Sequence, residues 1–139
     1  MIVLDTNVIS EIIKPQPDPV AAAWLSAQPR SNFYITAVTE AELRLGVEIL
    51  PEGRRKAALR MAIERAIELA IGDRTLSFDR EAARHYATIA SACRRIGRPM
   101  TQSDCQIAAI ALAHRAVLAT RNVKDFQNCG VALINPWQP

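Results

Sequence analysis

The feature that most constrains the fold is a short apolar run at the start of the chain, followed at once by a carboxylate. Ile2-Val3-Leu4 lacks the alternation of a strand with one face in water. Such a run is typical of a strand buried on both faces, as in a parallel sheet covered by helices. Open α/β sheets bind ligands beyond the carboxyl ends of their strands. Asp5, directly after the run, is therefore a candidate site residue, although it could simply cap the helix that follows.

Strand-like and helix-like segments alternate along the rest of the chain. The sequence predicts strands at about 2–5, 33–35, 75–78, 117–120 and 131–134. It predicts helices at about 7–13, 18–28, 39–50, 54–71, 79–96 and 102–114, with Thr39 and Thr101 as N-caps. This order favours a parallel sheet with helices on both faces. No repeat or linker interrupts it, so we expect residues 1–139 to form a single domain.

Composition excludes several classes of protein. No apolar run approaches the roughly 20 residues that span a bilayer, so we expect no membrane association. The N-terminus lacks the basic and then apolar pattern of a signal peptide. Cys93, Cys105 and Cys129 form no CxxC pair, which suggests reduced thiols in a cytoplasmic protein, buried as small apolar side chains.

The chain is mildly basic, with a net charge of +3. Two segments concentrate the basic residues: Arg54, Arg55, Lys56, Arg60 and Arg65, then Arg94, Arg95 and Arg98. Such patches contact phosphates in some proteins and are only solvated helix faces in others. The charges alone leave both interpretations open.

Two glutamates of the third predicted helix differ in their surroundings. They are two positions apart, so they point about 200° away from each other on a helix. Glu40 precedes Arg44 by four residues, the favourable order for a surface ion pair. Glu42 shares its stripe with Val38, Leu45, Gly46 and Ile49. A carboxylate on an apolar stripe is costly to bury without a partner, so Glu42 is the candidate for a functional role.

Further polar side chains follow the later elements. Asp104 lies in the first turn of a predicted helix, where it is either a site residue or part of a helix start that resembles a capping box. Three side chains follow the fourth strand. Asn122 offers a neutral oxygen ligand, Asp125 is a ligand or the start of a turn, and Arg121 could meet a phosphate or an acid.

Together these side chains are expected at one edge of the sheet, where clustered acids repel one another and need cations. Oxygen ligands without His or Cys fit Mg²⁺ or Mn²⁺. His85 and His114 lie within predicted helices, far from the acids in sequence, and are interpreted as surface or packing residues. No Ser-His-Asp order, glycine-rich phosphate loop or zinc spacing is present.

Five segments follow one another along the chain: MIVLDTNVISE at 1–11, TEAELRLG at 39–46, SDCQIAA at 103–109, ATRN at 119–122 and NPW at 135–137. In this order they resemble PIN-domain proteins of the VapC toxin family, in its FitB-like branch, and the resemblance spans the chain. It implies a three-layer α/β/α sandwich with a central parallel sheet. It also implies the toxin of a type II toxin–antitoxin module, an endoribonuclease that depends on Mg²⁺ or Mn²⁺.

The resemblance also implies roles for individual residues. Asp5, Glu42 and Asp104 would form the acidic, metal-binding core, and Asn122 stands at the variable fourth position. Side chains that would support this core or contact substrate are Thr6, Asn7, Ser103, Thr120, Arg121 and Asp125. The implied partners are an RNA substrate, a second copy in a homodimer and a cognate antitoxin. The antitoxin arm would lie in apolar grooves beside the helix hairpin at about 39–71, giving a hetero-oligomer.

Three other classes of protein match parts of this pattern. A haloacid-dehalogenase-type phosphatase needs a second Asp where this chain has Asn7. A phospho-receiver domain clusters acids near the first strand, whereas Asp5 stands alone there. A catalytically weak PIN scaffold that only binds RNA or a protein is the more serious rival, because Asn122 replaces an acid.

Overall fold

A computed structural model describes all residues 1–139. Its five strands are β1 (Ile2–Leu4), β2 (Phe33–Thr36), β3 (Thr75–Leu76), β4 (Val117–Ala119) and β5 (Ala132–Ile134). They form one sheet in the order β3-β2-β1-β4-β5. Every neighbouring pair is parallel, with Ile2 opposite both Phe33 and Val117. This order puts β1 and its C-terminal end at the centre of the sheet.

Seven α-helices connect the strands. They are α1 (Thr6–Ile12), α2 (Pro19–Ala27), α3 (Ala37–Glu48), α4 (Arg54–Ala66), α5 (Arg80–Arg95), α6 (Gln102–Ala113) and α7 (Val123–Phe126). A 3₁₀ turn at Arg30–Asn32 precedes β2, and a π-helical turn at Ile67–Ile71 extends α4. None of the helices is long and apolar enough to cross a membrane.

Two apolar layers sandwich the sheet because successive residues of a strand face opposite sides. Val3 and Leu118 pack with residues of α5, α6 and α7. Leu4 and Ile35 pack on the other side with residues of α1, α3 and α4. This is the predicted α/β/α sandwich. The three cysteines are buried and unpaired, also as predicted.

The structure corrects several predicted boundaries. The N-cap of α3 is Thr36, whose Oγ1 accepts from the backbone N–H of Thr39 at 2.9 Å, so Thr39 lies inside the helix and is not its cap. The helix predicted at 54–71 loses regular α geometry after Ala66. Strand β3 has only two residues, and the short helix α7 was not predicted. Thr101 does cap α6.

Two predictions from the sequence were wrong in part: the apolar stripe around Glu42 and the exposure of one basic segment. Leu45 and Ile49, on the stripe of Glu42, are 60% and 73% exposed, because α3 buries Leu43 and Val47 instead. Lys56 is buried and donates to Glu52 at 2.7 Å, so it does not belong to a surface patch. The predicted pair between Arg44 and Glu40 is present at 2.8 Å.

Candidate active site

Asp5 is held in a fixed orientation between β1 and α1. Its backbone N–H donates to the carbonyl of Ala119 in β4, at 3.0 Å. Its Oδ1 accepts from the backbone N–H of Thr6 at 2.8 Å, and its Oδ2 accepts from Asn7 Nδ2 and Thr120 Oγ1, both at 2.7 Å. Asp5 as a whole is 4% exposed. Asp5 therefore caps α1 as well as facing the site, so the two readings of the sequence are compatible.

Thr120 connects the ends of the two central strands. It follows β4, is fully buried, and donates to Asp5 while accepting from the backbone N–H of Asn122 at 3.0 Å. Asn7 lies beside it, donating to Thr120 Oγ1 at 3.3 Å and accepting from the backbone N–H of Arg121 at 3.1 Å. The loop after β4 is thereby fixed relative to Asp5.

The Thr120 hydroxyl is expected to stabilise this arrangement measurably. Thr120→Val removes one donor and one acceptor at a fully buried position without changing the size of the side chain much. We expect a loss of about 1–3 kcal/mol in the free energy of unfolding, measured by urea denaturation. Thr120→Ser, which keeps the hydroxyl, and Thr88→Val, at an exposed helical position, are the controls. Equal stability of Thr120→Val and wild type would contradict a stabilising role of the Thr120 hydroxyl.

The two other acids reach the same site from helices. Glu42, in α3, accepts from Thr6 Oγ1 at 3.0 Å through its Oε1. Asp104 lies in the first turn of α6, where its backbone N–H donates to Thr101 Oγ1 at 3.2 Å. Both acids are half-buried.

An open cleft of about 400 Å³ brings these residues together. Its walls are formed by Asp5, Thr6, Asn7, Ser10, Glu11, Lys14, Glu42, Asp104, Arg121, Asn122 and Trp137. Of the candidate residues from the sequence, Thr120 lies beneath this cleft, hydrogen-bonded to Asp5. Ser103 does not line the cleft, and Asp125 lies with Asp104 in a neighbouring depression.

The cleft disfavours negative charge in the absence of a counterion. Burial raises the pKa of Asp5 despite its three hydrogen bonds. Burial, followed by the charge of Asp5, raises the pKa of Glu42. The pKa of Asp104 is also raised, first by burial and then by the charges of Asp5, Asp125 and Glu42. A cation among these carboxylates would relieve both the desolvation and the repulsion.

Sequence reasoning assigned no role to four residues of the cleft: Ser10, Glu11, Lys14 and Trp137. Glu11 is buried and accepts from Lys14 Nζ at 2.6 Å and from the backbone N–H of Asp18 at 2.7 Å, which lower its pKa. It is a neutralised structural acid. The sequence did contain a signal for this pair. Glu11 and Lys14 follow Asn7 at helical spacings of four and seven, which predicts that they share one helix face with it.

The donor set fits a hard divalent cation in its chemistry. Asp5 uses three of the roughly four acceptor positions of a carboxylate, which leaves capacity for an ion. Glu42 and Asp104 add further oxygens, and Mg²⁺ prefers to bind through one or two carboxylates with water completing its shell. No three acidic, His or Cys side chains lie close enough together to hold one ion by themselves.

Comparison with known proteins gives the family. The PIN domain family model matches residues 2–130. The VapC ribonuclease Y4jK of Sinorhizobium fredii is 41% identical over 139 residues, covering 100% of this chain and 99% of that protein. The toxin FitB of Neisseria gonorrhoeae is 42% identical over 137 residues, covering 99% of each chain. The crystal structure of FitAcB from Neisseria gonorrhoeae gives a TM-score of 0.91 at 41% identity, covering 100% of both chains.

The chain belongs to the PIN-domain family and, within it, to the VapC and FitB toxins. This confirms the resemblance seen in the sequence. It also agrees with the five-stranded parallel sheet and its two helical layers.

Proposed function

We propose that this protein is the toxin of a type II toxin–antitoxin module and cleaves RNA internally, using Mg²⁺ or Mn²⁺. Residues 1–139 would act as one domain in the cytoplasm. The observation that carries the proposal is the single cleft into which Asp5, Glu42 and Asp104 converge in a chain of this family.

Asp5, Glu42 and Asp104 would hold the ion together with water, since the three side chains do not form a complete ligand set by themselves. Asn122 lies at the rim of the cleft. A bound divalent cation lowers the pKa of water and neutralises charge on phosphate oxygens. The chain's own contribution is positioning: Thr6, Asn7 and Thr120 fix the carboxylate of Asp5 through hydrogen bonds of 2.7–2.8 Å. Asn122 is neutral and exposed, so it would bind a cation more weakly than an acid and disfavours a tightly held second ion.

RNA in a single-stranded or looped form fits this cleft best. Its backbone can bend into an open depression, whereas a regular duplex presents a stiff surface. The cleft wall is polar apart from Trp137, and it carries Arg121 next to the acids. The positive charge of Arg121 can hold a flanking phosphate at this place.

Protein partners would occupy apolar surfaces away from the acids. A groove of about 460 Å³ lies between α1, α2 and the end of the helix hairpin, and is lined by Ile12, Ile13, Leu25, Ser26, Arg30, Phe33, Ala62, Arg65, Ala66, Leu69 and Ala70. We propose that the antitoxin arm lies in this groove. The exposed side chains of Leu45, Ile49 and Met61 would contribute to a homodimer interface.

The rival is a catalytically weak scaffold that binds RNA or a protein, and Asn122 is the observation that favours it. Incubation of the purified protein with a mixed RNA pool, in Mg²⁺, Mn²⁺ or EDTA, separates the two. Cuts that require metal and disappear in Asp104→Asn support the nuclease. No cutting by the wild-type protein, with RNA retained on it, supports the scaffold.

Metal binding is expected to change thermal stability in a pH-dependent way. The pKa values of Asp5, Glu42 and Asp104 are raised on folding, so without metal the stability falls as the pH rises above the ordinary carboxyl range. At pH 7, an ion at 100 times its Kd adds about 2.7 kcal/mol, or several degrees in Tm. Near pH 3.5 the carboxyls are protonated and the shift should vanish. Melting curves with Mn²⁺ and with EDTA test this, and an equal shift at both pH values would contradict it.

A further inference from the structure

Trp137 is the single apolar residue among the eleven that line the acidic cleft. It follows β5 in a turn in which its backbone N–H donates to Asn135 Oδ1 at 3.0 Å. Its indole Nε1 is buried and has no hydrogen-bond partner. The ring also packs against the apolar layer that contains Leu4 and Ile35, so it lies between that layer and the cleft.

Arg121 lies over the ring of Trp137, with its Cζ 5.2 Å from the ring centroid. It is exposed and forms no ion pair, although four acids line the same cleft. Its backbone N–H donates to Asn7 Oδ1 at 3.1 Å, and Asn7 Nδ2 donates in turn to Asp5 Oδ2. The backbone of Arg121 is therefore fixed relative to Asp5 through one intervening residue, and the guanidinium is placed by its contact with Trp137.

We propose that Arg121 and Trp137 form a stacking platform for an unpaired nucleobase of RNA, beside the phosphodiester that is cut. Guanidinium planes and aromatic rings are the groups on which proteins stack splayed-out bases, and such stacking accepts every base. A residue that contacts only a phosphate needs its charge and not a ring beneath it. The inference rests on the proposed function and adds to it a base-binding role for two residues of the same cleft.

The platform can be tested by binding alone, in EDTA, so that no RNA is cut. The probes are fluorescein-labelled octaribonucleotides of adenosine and of uridine, together with an octamer of the same ribose phosphate chain that lacks bases. Arg121→Lys keeps the charge and loses the planar group. Arg84→Lys is the matched control on the exposed face of α5, and Trp137→Phe tests the supporting ring.

We expect the wild-type protein to bind the base-bearing octamers at least about 5-fold more tightly than the abasic chain. Arg121→Lys should reduce this ratio to below about twofold, Trp137→Phe should reduce it in part, and Arg84→Lys should leave it unchanged. If Arg121→Lys weakens all three probes equally, or if the wild-type ratio is itself near one, the platform is overturned.

The cleavage assay with the mixed RNA pool reports separately on the nuclease. Base-dependent binding through Arg121 without any cleavage would leave the platform standing and remove the proposed catalysis. Suppose instead that cleavage depends on metal, and that the preference for base-bearing over abasic octamers does not change in Arg121→Lys. The proposed catalysis would then stand and the platform would be removed.

Discussion

Asp5→Asn is expected to reduce RNA cleavage by about 100-fold or more while the protein stays folded. Substitution of a group that only supports a metal ligand costs about 10- to 100-fold, and Asp5 is proposed as the ligand itself. Asn preserves the size of the side chain but removes its charge. It also places an amide donor or a neutral oxygen where Oδ2 now accepts from both Asn7 and Thr120.

The folded state of Asp5→Asn can be checked independently. Burial raises the pKa of Asp5, so the native structure disfavours its ionised form at neutral pH, and the substitution removes that cost. It also weakens the hydrogen bonds to Oδ2, so the two effects oppose each other. We expect a cooperative melting curve with a Tm close to that of the wild type. Wild-type rates of cleavage in this variant would contradict the assignment of Asp5.

Glu42→Gln is expected to reduce cleavage by at least the roughly 10- to 100-fold that is typical of a group supporting a metal ligand, whereas Glu40→Gln should leave it unchanged. Both residues lie in α3, two positions apart, so the same chemical change is made in the same helix. Glu42 lines the cleft and accepts from Thr6, whereas Glu40 pairs with Arg44 on the surface. Surface pairs of this kind contribute about 0–1 kcal/mol, so any loss in Glu40→Gln would be a small change in stability. Equal loss of activity in both variants would contradict the assignment of Glu42 to the site and of Glu40 to the surface.

The sequence predicted the layers of the fold because unbroken apolar runs and helical periodicity are local signals. Val3 and Leu4 are fully buried on opposite faces of the sheet, as the pattern predicts, and Ile2 is partly buried. The strand order brought Asp5 next to Thr120, and adjacency of β1 and β4 cannot be read from local pattern. The sequence predicted β3 to be too long, because a strand of two residues shows almost no periodicity in its apolar pattern.

The residues that line the cleft were also predicted only in part. Glu42 does line it, although the apolar stripe on which its selection rested is wrong, since Leu45 on that stripe is exposed; a functional role for Glu42 stays a prediction. What distinguishes Glu42 is the hydroxyl of Thr6, a residue 36 positions earlier. Trp137 was missed as a cleft residue because its place depends on β5 lying beside β4, which is a tertiary feature.

Cleavage of one defined RNA by the wild type, Asp5→Asn, Glu42→Gln and Glu40→Gln, in Mn²⁺ and in EDTA, shows directly whether a metal site on these carboxylates cuts RNA. We expect cuts at the same positions in the wild type and Glu40→Gln, only with metal, and a large loss in the other two variants. Cleavage that persists in EDTA, or that survives both Asp5→Asn and Glu42→Gln, would contradict a metal-dependent site built on these carboxylates.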